Sequence, residues 1–188
     1  MAPVLILPGL FGSGEGHWQR HWLADRPESL LVEQDNWDRP VLSEWLEKLE
    51  NVLEQVEDAY IVAHSLGCVL AARHAQRASA RKIKGALLVA TCDLQPTERF
   101  HPGHVSFGPM PTHRLPFPTV MVGSLNDPYM TIDRQTLFTR LWGAEHQSIG
   151  SAGHINIASG YGRWTNGYAL FDCLKRKVAS LRNSADVN

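Results

Sequence analysis

Short runs of consecutive apolar residues alternate along this chain with segments whose apolar residues recur at helical spacing. Six runs are candidate β-strands: Val4–Leu7, Ser29–Glu33, Ala59–Ala63, Gly85–Thr91, Pro118–Ser124 and His146–Gly150. The central runs are apolar at successive positions rather than at alternate ones, which is typical of strands buried on both faces of a parallel sheet. The last run is the least apolar and gives the weakest strand signal.

Helical segments separate these runs. Between positions 40 and 58 the apolar residues fall on one face of a helix, and Pro40 occupies a favourable first helical position. Further helices are predicted over Leu66–Ala80, Thr131–Trp142 and Tyr168–Leu181. The alternation predicts one α/β domain over residues 1–188, with a mostly parallel sheet, helices on both faces and a flexible tail at 183–188.

One long segment, Cys92–Pro118, breaks this alternation. It is rich in proline, glycine and histidine and shows no clear period. Loops of that length are usually functional or disordered. Because the segment follows a strand of the predicted parallel sheet, we expect it at the carboxyl edge, where open α/β sheets bind their ligands.

Composition and charge narrow the classes of partner. The 188 residues are 44% hydrophobic and 20% charged, with a formal net charge of -1. This balance does not support a nucleic-acid partner or an anionic membrane surface, since both favour a basic face. No stretch approaches the roughly eighteen apolar residues of a membrane span. The three cysteines show no CxxC spacing, so we expect buried thiols and a cytoplasmic location.

The stretch AHSLG, residues 63–67, places a serine at the junction of a predicted strand and a predicted helix. Ala63 and Gly67 flank Ser65 at the spacing of the G-x-S-x-G motif, in which a strained turn lifts the serine hydroxyl above the sheet. Such a turn also presents the N–H of Leu66, at the start of a helix dipole, to a developing negative charge. Ser65 is therefore a candidate nucleophile, and the alternative is an ordinary helix N-cap.

A serine nucleophile needs a base and an acid, which follow it in this motif in the order Ser, Asp/Glu, His. Asp127 lies at the tip of a polar turn after a strand, and His154 lies in a small-residue loop after the last strand. We expect the ring of His154 to reach both Ser65 and Asp127. The main alternative acid is Asp93, in the turn after the preceding strand. In the simplest alternative, Asp127 only shapes its turn and His154 is an ordinary loop residue.

A glycine-rich loop, Pro8–Gly16, follows the first strand and can direct backbone N–H groups at a substrate oxygen. We expect the second oxyanion donor to be the N–H of Leu10 or of Phe11. The loop contains no G-x-G-x-x-G and no G-K-[ST], so it does not match the dinucleotide-binding or P-loop fingerprints.

Several other side chains are candidates for a substrate pocket. His64 precedes the serine, and it either lines the cleft or packs beneath its loop. In the long segment, Phe100, Phe107 and Met110 form either an apolar acyl pocket or an irregular surface.

The segment after the glycine-rich loop contains three residues of the types that bind metal ions. His17 and His21 are four residues apart on a predicted helix, with Asp25 four residues further on. A metal ion can bridge such a helix face. Because no further strong ligand is indicated elsewhere in the chain, we predict no metal site.

The chain resembles a small α/β-hydrolase and, within that fold, the compact, lidless serine hydrolases related to retinoblastoma-binding protein 9. The stretches LPGLFGSGEGHW, AHSLG, SLNDPYM and AGHIN carry this resemblance, in that order and over nearly the whole chain. It implies a three-layer fold with a six-stranded sheet and no large lid, in which Ser65 is the nucleophile, Asp127 the acid and His154 the base. It also implies hydrolysis of esters or related acyl compounds without a metal or cofactor.

The residues and the resemblance together predict a carboxylesterase-like serine hydrolase that acts on a small-molecule acyl substrate through an acyl-enzyme. Two alternatives stay open: an acyltransferase with the same three side chains, and a weakly active interaction module on a hydrolase scaffold. The sequence has no L-x-C-x-E motif, so a retinoblastoma-type partner is not supported. It does not indicate the oligomeric state or a preference among ester, thioester and amide.

Overall fold

A computed structural model describes residues 2–185 as alternating strands and helices. The β-strands are β1 (Val4–Leu7), β2 (Ser29–Leu31), β3 (Ala59–His64), β4 (Ile83–Val89), β5 (Thr119–Gly123) and β6 (Glu145–Ser148). The α-helices are α1 (Trp18–Asp25), α2 (Leu42–Glu54), α3 (Leu66–His74), α4 (Leu94–Phe100), α5 (Ile132–Trp142) and α6 (Thr165–Ala185). None of these described helices combines the length and apolarity needed to cross a bilayer.

The six strands form one sheet in the order β2-β1-β3-β4-β5-β6, and every neighbouring pair is parallel. The chain leaves β1 toward β2 on one side and returns to place β3 on the other side. The strand order therefore reverses between β1 and β3. In open parallel sheets, the crevice outside the carboxyl ends of the strands at such a point is where ligands bind.

Two apolar layers cover the faces of the sheet. In β1, Leu5 and Leu7 pack into one layer and Val4 and Ile6 into the other, because successive strand residues point to opposite faces. Helices α2, α3 and α5 supply side chains to the first layer, and α1 and α6 supply the second. Burial on both faces explains why the strand residues are apolar at successive positions, and it confirms the three-layer α/β prediction.

Several helix boundaries differ from the predicted ones. Val41 is the N-cap of α2, so Pro40 precedes the helix instead of beginning it. Helix α3 ends at His74, and a short 3₁₀ turn over Ala78–Lys82 leads into β4. The alanine-rich composition favours helix but does not mark this end. Helix α6 extends through Ala185, so residues 183–185 are helical, and the rest of the predicted tail lies outside the described residues.

The long segment contains a helix that the sequence did not reveal. Helix α4 begins directly after Asp93, whose side chain accepts a hydrogen bond from the N–H of Gln95. Of its seven residues only Thr97 is buried, and most of the others are exposed. The helix therefore has no apolar residues at helical spacing that the sequence could show. The segment lies at the carboxyl edge of the sheet, as expected, and no inserted domain covers that edge within residues 2–185.

Strand β6 explains the weakest signal in the sequence. It is an edge strand whose four side chains, from Glu145 to Ser148, are all exposed. A strand of this kind needs no apolar residues, and polar edges discourage pairing with other chains. The strand overlaps the predicted run His146–Gly150, but it begins one residue earlier and ends two residues earlier.

Candidate active site

Ser65 occupies the sharp turn between β3 and α3. Its backbone has φ 52° and ψ -118°, a region that residues with a side chain rarely adopt and that is found at strained functional positions. The N–H of Ser65 donates to the carbonyl of Val89 on β4 at 3.1 Å, which fixes the turn to the neighbouring strand. The hydroxyl makes no capping hydrogen bond to α3, so Ser65 is not an ordinary helix cap.

The small residues around this turn are explained by close backbone contacts. A Cβ atom at Gly67 would overlap the carbonyl oxygens of Leu7 and Pro8, so only glycine lets the start of α3 pack against the end of β1. A Cβ atom at Gly9 would lie 2.8 Å from the Cβ atom of Ser65. The glycine-rich loop therefore lies directly against the serine.

Ser65, His154 and Asp127 form a hydrogen-bonded chain of side chains. The Nε2 atom of His154 lies 2.8 Å from Ser65 Oγ, and Nδ1 lies 3.0 Å from both carboxylate oxygens of Asp127. A carboxylate accepts hydrogen bonds, so Nδ1 carries the ring proton and Nε2 accepts from the serine hydroxyl. Each of the three residues is less than a tenth exposed. This is the arrangement in which an imidazole can take the proton of a serine hydroxyl.

The loops that carry His154 and Asp127 are tied to each other by hydrogen bonds. Asn126 Oδ1 accepts from the hydroxyl of Ser124 at 2.9 Å and from the N–H of Gly153 at 2.7 Å. The hydroxyl of Ser124 in turn accepts from the N–H of Ala152 at 2.9 Å. These bonds hold the turn after β5 and the loop after β6 in one geometry, which sets the distance between the carboxylate and the imidazole.

Asp93 has a different set of partners. Its carboxylate accepts from the N–H of Gln95 at the start of α4 and forms an ion pair with Arg134 Nε at 2.6 Å. The geometry therefore brings Asp127, and not Asp93, to the imidazole of His154.

The family described as serine hydrolase matches residues 4–173 of the chain. The chain belongs to this family. Its sequence is 30% identical to YdeN of Bacillus subtilis (strain 168) over 93 residues, a match that spans 47% of this chain and 49% of YdeN. The chain thus matches about half the length of that curated relative.

Solved structures place this serine hydrolase in the α/β-hydrolase superfamily. A YdeN-like hydrolase from Pectobacterium atrosepticum superimposes with a TM-score of 0.77 and 28% identity, over 95% of this chain and 90% of that one. The ydeN gene product of B. subtilis gives a TM-score of 0.71 and 20% identity, over 94% and 100% of the two chains. A thermophilic esterase from Thermogutta terrifontis shares the fold, with a TM-score of 0.67 and 16% identity over 95% and 90%.

In this serine hydrolase a pocket of about 180 Å³ opens at Ser65, at the point where the strand order reverses. The pocket is lined by Gly9, Leu10, Phe11, Gly12, Ser13, His17, His64, Ser65, Leu66, Thr97, His101, Tyr129, His154 and Asn156. Most of these side chains are polar, and none is an Asp, Glu, Lys or Arg. The pocket therefore presents hydrogen-bonding side chains close to Ser65.

The structure separates the two expected positions for the second oxyanion donor. The N–H of Phe11 donates to the carbonyl of Trp37 at 2.9 Å and is not free. Within residues 2–185, neither the N–H of Leu10 nor that of Leu66 has a protein acceptor, and both residues line the pocket. Of the three expected positions, Leu10 and Leu66 therefore keep a backbone N–H that is free to donate to an oxygen in the pocket.

His64 contacts the backbone of His154. Its Nε2 atom lies 2.9 Å from the carbonyl oxygen of His154, so Nε2 carries a proton and donates. Burial, reinforced by the nearby rings of His154 and His17, lowers the pKa of His64 well below its ordinary value. The ring therefore stays neutral and fixes the position of the His154 backbone.

The buried thiols next to the serine are not nucleophiles. Cys68 and Cys92 are buried, whereas Cys173 is exposed, contrary to the expectation of three buried thiols. Burial raises the pKa of Cys92 to about 11 and also raises that of Cys68. Since the thiolate is the reactive form, neither thiol competes with Ser65 near neutral pH.

The predicted apolar acyl pocket needs correction. Phe107 is buried in the core against Trp45, and Met110 lies beside it in a separate groove next to α4 and α5. Phe100 is 54% exposed and packs on Tyr129 without lining the pocket. The long segment folds back toward α2, where Ser106 pairs with Val41, and this carries its apolar side chains away from Ser65.

Other side chains, which the sequence did not indicate, line the pocket in place of Phe100, Phe107 and Met110. Thr97 and His101 come from the unpredicted helix α4 and its end, and Tyr129 packs on the ring of His154 at 4.3 Å. Asn156 also lines the pocket, two residues after the base. In the sequence, Tyr129 directly follows the Asp-Pro turn, and Asn156 lies two residues after His154. Neither position shows where the side chain points.

His17 also lines the pocket and does not contribute to a metal site. Its Nδ1 atom caps its own helix, while Asp25 binds Arg163 and the hydroxyl of Tyr168, each at 2.6 Å. Within the described part of the chain, no three His, Cys, Asp or Glu side chains lie close enough together to hold a metal ion.

Proposed function

We propose that this serine hydrolase cleaves esters of small acyl groups through a covalent acyl-enzyme on Ser65. The hydrogen-bonded chain Ser65–His154–Asp127, with distances of 2.8 Å and 3.0 Å, is the observation that carries this proposal. The free N–H groups of Leu10 and Leu66 beside the serine support it further.

In the first half-reaction, Ser65 Oγ attacks the substrate carbonyl as its proton passes to Nε2 of His154. The new C–O bond places negative charge on the carbonyl oxygen, and the N–H groups of Leu10 and Leu66 are the donors that hold it. When the C–O bond to the leaving alcohol breaks, His154 gives the proton to that alcohol. The acyl group remains as an ester on Ser65.

In the second half-reaction, water replaces the alcohol. His154 takes a proton from the water, the hydroxide attacks the acyl carbonyl, and the bond to Ser65 Oγ breaks as the proton returns to it. Asp127 accepts the hydrogen bond from Nδ1 throughout, which orients the ring and stabilises its charged form. The products are the free acid, the alcohol and the unchanged enzyme.

The small pocket predicts the size of the acyl group. In a series of p-nitrophenyl esters from acetate to decanoate, we expect kcat/KM to peak at acyl chains of two to four carbons and to fall roughly tenfold or more at the long end. Release of p-nitrophenol measures the rate. To distinguish hydrolysis from acyl transfer, a primary alcohol is added, and chromatography then measures how much free acid and how much new ester is formed. A maximum at decanoate would contradict the size argument, and transfer exceeding hydrolysis would make the enzyme an acyltransferase.

The cytoplasmic location belongs to the same proposal. All three cysteines are free, at Cys68, Cys92 and Cys173. Free thiols, one of them exposed, are typical of proteins that work in a reducing compartment.

A further inference from the structure

His17 ends the glycine-rich loop and begins α1 as its N-cap. Its Nδ1 atom accepts the N–H of Gln19 at 3.2 Å. In a neutral ring, the proton must then lie on Nε2, which makes Nε2 a donor. The residue is 5% exposed and lines the pocket, and within residues 2–185 Nε2 has no acceptor.

The environment of His17 keeps its ring in this form. Burial, together with the nearby charges of His154 and Arg20, lowers the pKa of His17 to about 4. Near neutral pH the ring is therefore uncharged, with one fixed donor facing a ligand site. Nε2 is not among the buried side-chain atoms that lack a partner, so it is accessible from the pocket, where a ligand or water can accept its hydrogen bond.

Asn156 provides a second donor of the same kind. Its Oδ1 atom accepts from the N–H of Ser159 at 3.1 Å and from the hydroxyl of Ser159 at 3.0 Å. These bonds identify the carbonyl end of the side chain, so the amide N–H₂ is the end without a hydrogen-bond partner among the described residues, and Asn156 lines the pocket. Trp18 Nε1 donates to the carbonyl of Ile155 at 2.9 Å, which places the segment that contains His17 beside the segment that contains Asn156.

Both donors lie on the side of the pocket where the leaving group departs. The rings of His17 and His64 are 4.9 Å apart, as are those of His64 and His154, and Asn156 is two residues from His154. Because the catalytic imidazole protonates the leaving group, groups clustered around it face the alcohol side of the ester. The backbone donors of Leu10 and Leu66 serve the carbonyl oxygen instead.

We propose that His17 Nε2–H and Asn156 Nδ2–H form a donor subsite for oxygen atoms of the leaving alcohol, so that the preferred substrates are small esters of hydroxylated alcohols. This inference rests on the proposed function. The two donors hydrogen-bond a polyol leaving group, whereas a plain alkyl group leaves both donors unsatisfied. A site built to hydrogen-bond a substrate hydroxyl discriminates strongly against an analogue that lacks it.

Two esters with the same acyl group and the same three-carbon alcohol test this subsite. Glycerol 1-monobutyrate and propyl butyrate differ only in two hydroxyl groups on the leaving alcohol, and acid release in a pH-stat measures both rates. For the wild-type enzyme we expect kcat/KM to be at least about tenfold higher for the glycerol ester. The readout is the ratio of kcat/KM for the glycerol ester to kcat/KM for the propyl ester. A substitution that only disturbs His154 lowers both values equally and leaves this ratio unchanged.

Two substitutions separate a substrate donor from a helix cap at position 17. His17→Asn keeps a strong N-cap but is too short to reach the position of Nε2, so we expect the ratio to fall roughly three- to tenfold. His17→Gln is a poorer cap but carries an N–H at the depth of Nε2, and it is expected to restore most of the ratio. A purely structural role gives the opposite order, with Asn closer to wild type than Gln in both melting temperature and ratio.

Asn156→Asp supplies an independent variant. The carboxylate still accepts from Ser159 but has no N–H to donate, so the ratio should fall by a similar factor. Equal wild-type kcat/KM values for the two esters, or a ratio unchanged in His17→Asn and Asn156→Asp, would overturn the subsite and leave the proposed function standing. Failure of the wild-type enzyme to hydrolyse either ester would overturn the proposed function and, with it, the subsite.

Discussion

Replacement of Ser65 by alanine is expected to lower kcat for p-nitrophenyl butyrate by about 10⁴- to 10⁶-fold. The substitution removes the only side-chain oxygen that lies 2.8 Å from the Nε2 atom of His154 among the described residues. The two buried thiols nearby stay protonated and do not replace it. Release of p-nitrophenol at saturating substrate measures the loss.

Ser151→Ala is the matched control for this experiment. Ser151 is exposed and lies in the loop that carries the base, so the same chemical change there should leave kcat within about twofold and stability within about 0.5 kcal/mol. Alanine at position 65 keeps the strained backbone of the turn, and a melting curve close to that of wild type shows that the fold is intact. Retention of more than about a tenth of the wild-type rate in Ser65→Ala would mean that another group is the nucleophile.

Asp127→Asn is expected to lower kcat by about 10³- to 10⁴-fold while the fold is kept. Asp127 Oδ1 accepts the backbone N–H of Tyr129 at 2.9 Å. In the variant the amide oxygen takes that bond and turns the N–H₂ group toward His154 Nδ1. Nδ1 must then accept, the ring proton moves to Nε2, and Nε2 can no longer take the proton of Ser65. The kcat for p-nitrophenyl butyrate tests this expectation.

Asp93→Asn is the control for the acid, because both carboxylates follow neighbouring strands. Asparagine at position 93 still caps α4 but loses the ion pair of the buried Asp93 carboxylate with Arg134, whose side chain is partly exposed. We expect kcat to change by less than about threefold, and the free energy of unfolding to fall by about 1–3 kcal/mol. If Asp93→Asn lost as much activity as Asp127→Asn, the assignment of the acid from this geometry would be wrong.

The parts of the fold that the sequence predicted are those set by local rules. Strands buried on both faces must be apolar at successive positions, and β1, β3, β4 and β5 are found within a few residues of the predicted runs. The turn at Ser65 was predictable because Gly67 is required by contact with the carbonyls of β1. The edge strand β6 and helix α4 were harder, because exposed elements do not need an apolar pattern.

The parts of the site that the sequence did not predict depend on tertiary packing. Asp93 and Asp127 follow neighbouring strands, but Asp93 pairs with Arg134 on α5, whereas Asp127 contacts His154. Phe107 was expected near the substrate, but an apolar side chain in an aperiodic segment equally fits the core, where it contacts Trp45. His17 can donate a hydrogen bond into the pocket because its Nδ1 atom accepts the N–H of Gln19 in α1, which leaves the proton on Nε2. No sequence pattern predicts which ring nitrogen makes that capping bond.

In the proposed mechanism Ser65 Oγ is the nucleophile of this serine hydrolase, and His154 activates it. A fluorophosphonate probe tests it directly, since the activated oxygen displaces fluoride and forms a stable phosphonate ester. After trypsin digestion, fragmentation of the peptide spanning residues 49–73, which contains both Ser65 and Cys68, locates the adduct. We expect one adduct per chain on Ser65, none in Ser65→Ala and much slower labelling in Asp127→Asn. An adduct on any other residue, or an unlabelled wild-type enzyme, would contradict it.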